Sequence, residues 1–146
     1  MFSDLLKRLA GADETPLKPD ETRVAIAALL VLAANADGDY ADGEKAQIER
    51  VLAERFKLNE PQAAALRAEG EAAEQAAMDM YKFTSLIKRL IPYEERASVL
   101  EAMWRVVLAD DLRDMHEETL MRRVTDLLGL DPRESVEARR RVSGAS

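Results

Sequence analysis

Residues 24–44 read Val-Ala-Ile-Ala-Ala-Leu-Leu-Val-Leu-Ala-Ala-Asn-Ala-Asp-Gly-Asp-Tyr-Ala-Asp-Gly-Glu. The first half, Val24 to Ala34, is apolar without interruption and contains neither Gly nor Pro. It is too short to span a bilayer, which takes about 20 apolar residues. Asp20, Glu21 and Arg23 close it on one side and Asp37 on the other. A helix apolar nearly all round belongs in the middle of other helices. The spacing therefore predicts a central helix over about 21–36. Asp20 is placed to cap it and Glu21 to meet its positive end. The second half, Ala36 to Glu44, is an acidic turn punctuated by glycine. It leads into an amphipathic helix over about 42–57, with Ile48, Val51, Leu52 and Phe56 on one face.

The rest of the chain continues in the same style. Asn59 and Pro61 open a stretch to Met80 that is rich in Ala and Glu and could divide at Gly70. Helix propensity there is high, but large apolar residues are few. Tyr81 and Phe83 precede a short helix with Leu86, Ile87, Leu90 and Ile91, stopped by Pro92. The next, over about 93–108, presents Val99, Leu100, Met103, Trp104, Val106 and Val107, with Glu101 and Arg105 marking its wet side. A second acidic turn, Ala109 to Asp114, follows, and Asp114 with Glu117 makes a D-x-x-E capping box. Leu120, Val124, Leu127 and Leu128 then run to Gly129, a C-terminal glycine. Asp131-Pro132 begins a last helix ending in Arg139-Arg140-Arg141, basic residues suited to the negative end of its dipole. Residues from Ser143 on should fray. At the N-terminus Phe2, Leu5, Leu6 and Leu9 suggest a short amphipathic helix ending at Gly11. It either docks on the domain or meets a partner or membrane surface. Residues 1–19 read as that helix and a linker, 20–135 as the helical domain, and 136–146 as the helix end and tail.

No stretch alternates with the period of a strand. The fold class is all-α, a compact bundle of about seven helices. The 146 residues are enough for one domain with a real core. The net charge of -7, with acids and bases interspersed, argues against nucleic acid, which needs clustered Lys and Arg. It suits cations, basic partners or simple solubility. With no cysteine, disulfides and thiolate metal sites are excluded. Neither a secretory signal nor a membrane span is present in the sequence, so no stable membrane insertion and, by default, a cytoplasmic location are expected.

An internal repeat is the most informative feature. Offset by 73 residues, Ile26, Leu30, Ala33 and Ala34 fall on Val99, Met103, Val106 and Val107. Asp37 falls on Asp110, Glu44 on Glu117, and Ile48 and Val51 on Met121 and Val124. One residue then slips, so that Phe56 and Leu58 match Leu128 and Leu130. Two helix-turn-helix units packed about a pseudo-twofold axis would let Asp37, Glu44, Asp110 and Glu117 converge. Crowded carboxylates raise one another's pKa or attract a cation. Oxygen donors suit Ca²⁺ or Mg²⁺, with Mn²⁺ and Zn²⁺ weaker fits. His116, the single histidine, adjoins Glu117 and could add a nitrogen ligand, but is more simply an exposed residue of a first helical turn. An EF-hand fails, since Asp42 stands where its loop needs glycine and Ile48 where it needs glutamate. The competing reading makes the four acids helix caps and turn formers, with the chain a structural adaptor. Paired carboxylates could also serve metal-assisted hydrolysis. However, no nucleophile triad, phosphate loop or His-rich motif accompanies them.

At these residues the chain resembles the tellurite-resistance TerB family and TerB-like domains. The resemblance rests on the apolar helix entering Ala36-Asp37-Gly38, on Glu44, and on the ending Phe56-Lys57-Leu58. It continues with Ala109-Asp110-Asp111, Glu117 and Leu127-Leu128-Gly129-Leu130. It covers about residues 20–135. It implies a helical bundle with internal pseudo-symmetry and a non-enzymatic module. It also implies divalent-cation binding by Asp37, Glu44, Asp110 and Glu117, and protein partners in a bacterial stress or chemical-resistance setting. Self-association is compatible with all of this. The chain departs from the family at Ala41, where Ser or Thr is usual, and at Asp111, often Gly.

Overall fold

A computed structural model describes residues 19–35, 42–76, 80–108 and 115–143. The expected N-terminal helix, residues 36–41 of the first acidic turn, the second acidic turn and the last three residues lie outside the described residues. Among those described there are seven helices and no strand. They are α1 (Pro19–Ala34), α2 (Asp42–Phe56), α3 (Glu60–Ala76), α4 (Met80–Leu90), α5 (Tyr93–Val107), α6 (Met115–Leu127) and α7 (Pro132–Ser143). The all-α bundle expected from the sequence is the fold observed.

α1 is the axis of the bundle. Every residue from Val24 to Val31 is buried, and α2, α3, α4, α5 and α6 all pack on it. It starts earlier than expected, at Pro19, which needs no partner for an N–H it lacks. Asp20 and Glu21 thus lie in the first turn, where the helix dipole favours acids, rather than at the cap.

α3 corrects the sequence reading. It runs unbroken through Gly70. Ala63, Leu66, Gly70 and Ala73 form its buried stripe. A Cβ on Gly70 would sit 2.7 Å from the Ala27 Cβ, 2.8 Å from the Ala27 carbonyl carbon and 3.0 Å from the Ala28 nitrogen. Gly70 therefore lets two helix backbones touch, and the scarcity of large residues in α3 is its packing device. α4 also begins before the expected point and takes in Tyr81 and Phe83, the latter fully buried.

The ends of the elements are closed by side chains and special backbone. Asn59 and Gln62 cap α3 reciprocally, at 3.0 and 2.9 Å. At α7 the Asp131 N–H donates to the Glu134 carboxylate at 2.7 Å, and the Asp131 carboxylate accepts from the Arg133 N–H at 2.8 Å. α6 ends in a Schellman turn. Gly129 has φ 73°, its N–H donates to the Asp126 carbonyl, and the Leu130 N–H donates to that of Thr125. α2 ends with the left-handed residue Lys57 at φ 55°, and the Leu58 N–H donates to the Ala53 carbonyl. Arg96 donates to the carbonyls of Lys88, Ile91 and Leu128, fastening the ends of α4 and α6 together. A cation there also suits both helix dipoles.

Candidate functional site

Of the four predicted acids, Glu44 is the one whose side chain is described. It is the third residue of α2, and Glu117 is the third residue of α6. Glu44 is half-buried, with its carboxylate oxygen Oε2 shielded from solvent. Asp37, Asp110 and the Glu117 side chain lie outside the described residues, as do Asp114 and the His116 side chain. α2 begins at Asp42, so that residue is already helical. Among the described residues no three acidic or histidine side chains form a group that could hold a metal ion.

Two clefts flank α5 and α7. The first, about 890 Å³, lies among α2, α5 and α7, over Val51, Ala102 and Val142. All its charged side chains but Arg55 are paired internally among the described residues. Arg105 pairs with Glu54 at 2.5 Å and Arg141 with Glu101 at 2.7 Å. Glu101 and Arg105 thus do not simply mark a wet face. Each reaches a different helix and ties α5 to it. Arg55 donates to the Ser98 hydroxyl at 3.1 Å. Burial pulls the Arg55 pKa down, and the nearby Glu95 and Glu101 oppose that.

The second cleft, about 600 Å³, lies among α5, α6 and α7. Trp104 forms its inner wall. The indole Nε1–H donates to the Ser135 hydroxyl at 3.2 Å, and the Arg139 guanidinium covers the ring at 5.2 Å from its centroid. Arg139 and Arg141, expected to act only as charges at a helix end, therefore each have a tertiary contact. Arg122 and Arg123 of α6 line the same cleft. Arg122, Arg123 and Arg139 enter no ion pair among the described residues. Little in the sequence signals this cleft. Trp104 reads as core by spacing, and its proximity to α7 is a tertiary fact.

No helix among the described residues is long and apolar enough to cross a membrane. No curated protein and no solved structure matches the chain. The family described as tellurite resistance protein TerB matches over residues 23–140, a span that starts in α1 and ends within α7. With that match across the whole described bundle, the chain belongs to the TerB family.

Proposed function

We propose that the protein is a non-enzymatic, cytoplasmic TerB module that binds a divalent cation through its paired acidic turns and passes that state to protein partners in a stress or chemical-resistance setting. The family match over residues 23–140 carries this reading. Glu44 supports it, because its carboxylate is turned inward at a helix start beside the first acidic turn. Asp37, Glu44, Asp110 and Glu117 supply oxygen donors alone, a set chemically suited to Ca²⁺ or Mg²⁺ and less to Mn²⁺ or Zn²⁺. The duplication of the two helix-turn-helix units belongs to the same proposal. Glu44 and Glu117 hold the same helical position in it, and α2 and α6 share a left-handed C-terminal residue followed by leucine.

Thermal unfolding in EDTA and in each of the four metals tests the reading. A cation at a hundred times its Kd stabilises by about 2.7 kcal/mol, roughly 5–10 °C for a chain of this size. No shift with any of them removes the metal-binding role. A second reading, an adaptor whose acids are caps, is favoured by the way Asp131 and Glu134 are used in the same chain. It predicts that Asp37→Asn costs no more than about 1–2 kcal/mol and that no metal shifts the melting curve.

A further inference from the structure

We propose that the cleft among α5, α6 and α7 docks a short segment of a partner protein carrying an apolar side chain beside one or two carboxylates. This names a chemistry for the partner role proposed above and rests on that role. Metal at the acidic turns is independent of it.

The apolar floor of the cleft is built from the buried Trp104, Met121 and Leu130, and Val136 supplies its exposed apolar surface. Val136 is 49% exposed, one of three large apolar side chains so exposed among the described residues. An apolar anchor entering there would cover it and meet a wall held in place by the Trp104–Ser135 hydrogen bond.

The charged part is built by Arg139, Arg122 and Arg123. A guanidinium stacked on an indole keeps its N–H edge free, and that planar fork matches a carboxylate bidentately. Stacking also holds the side chain in place, which reduces the entropy lost on binding. The contrast with the neighbouring cleft is direct. There Arg105 and Arg141 already spend their donors on Glu54 and Glu101.

Two acids choose among anionic partners. Glu118 and Asp126 also line the cleft, each four residues from Arg122 on α6. A polyphosphate backbone laid along the cleft would meet both, and nucleic-acid binding needs an uninterrupted basic track. An anionic membrane would also face a chain of net charge -7. A peptide with one or two carboxylates can seat them on the arginines and keep clear of the acids.

The test uses the full chain in EDTA. A random dodecapeptide library is panned against it. The recovered consensus peptide, a poly(dT) oligonucleotide and phosphatidylserine vesicles are then titrated into ¹⁵N-labelled protein. Trp104 is the single tryptophan, so its indole N–H is an unambiguous reporter. The expected consensus joins an apolar residue to Asp or Glu and moves the Trp104 signal. Arg139→Glu and, separately, Val136→Asp weaken binding about tenfold or more, whereas Arg140→Glu, on the same helix outside the cleft, leaves it unchanged. Two substitutions guard against a folding defect, and each variant's circular dichroism is compared with wild type. A basic consensus, tighter binding of the oligonucleotide or vesicles, or binding indifferent to both cleft variants overturns the proposal. Peptides that bind with Trp104 unmoved leave the partner role standing and remove the cleft from it. A library that yields no binder removes both.

Discussion

The α1–α3 seam and the α5–α6–α7 cleft are opposite solutions to placing helices side by side. At the seam the buried α3 stripe shrinks to small residues, and at Gly70 backbone meets the backbone of Ala27 and Ala28. At the cleft α5 and α7 pack closely through Trp104 and Ser135, α6 lies less tightly against both, and arginines edge the opening. The difference teaches where this chain keeps stability and where it keeps recognition. Close contact leaves no freedom to vary. A gap edged by arginines that enter no ion pair among the described residues is where the proposed docking would take place.

Substitution at Gly70 should have the largest effect. Gly70→Ala gains about 1 kcal/mol of helix propensity. The added methyl meets Ala27 backbone, which cannot rotate away. Overpacking costs about 1–3 kcal/mol and occasionally more, and contacts of 2.7–3.0 Å that include backbone put Gly70 at the upper end, so urea denaturation should show a net loss of about 2 kcal/mol for Gly70→Ala and more for Gly70→Val. A neutral Gly70→Ala would break the contrast at its closed end.

Ser135→Ala comes next. It deprives the buried Trp104 Nε1–H of its acceptor. The expected loss is about 1–2 kcal/mol, with altered tryptophan fluorescence in the folded state.

Glu74, on α3 outside its buried stripe, gives a test by pH. Partial burial raises its pKa. A carboxyl whose folded pKa exceeds its unfolded one contributes stability in acid and loses it as pH rises through the folded value. Glu74→Gln should therefore melt higher than wild type at neutral pH, and the advantage should vanish below the usual carboxylate range. A gain that persists in acid would point to another cause.

Arg122→Ala should have the smallest effect, within about 0.5 kcal/mol by urea denaturation, because the side chain enters no ion pair among the described residues. A larger loss would make the cleft's edge structural.

What the sequence made legible follows the same divide. The unbroken apolar run Val24 to Ala34 could only be a central helix. The caps at Asn59, Asp131 and Gly129 were readable because their chemistry is local. α3 was harder. Its contact is made by residues too small to register as a hydrophobic face, and Gly70 looked like a break because its neighbour, Ala27, is distant in sequence. The clefts depend on three helices meeting, and neither Trp104–Ser135 nor Arg141–Glu101 has a local signature. For the proposed acidic site the sequence suggests the pairing of Asp37 with Asp110 and of Glu44 with Glu117. The described structure adds the inward-turned Glu44 carboxylate and the matching helical positions of Glu44 and Glu117.

The central claim is that these four acids hold a divalent cation. Isothermal titration calorimetry tests it most directly, with Ca²⁺, Mg²⁺, Mn²⁺ and Zn²⁺ titrated in turn into wild type and into the Asp37→Asn, Asp110→Asn double variant. Saturable binding of a hard cation by wild type, lost in a double variant that remains folded, is the predicted result. No binding heat with any of the four metals, or undiminished binding by the double variant, would contradict it.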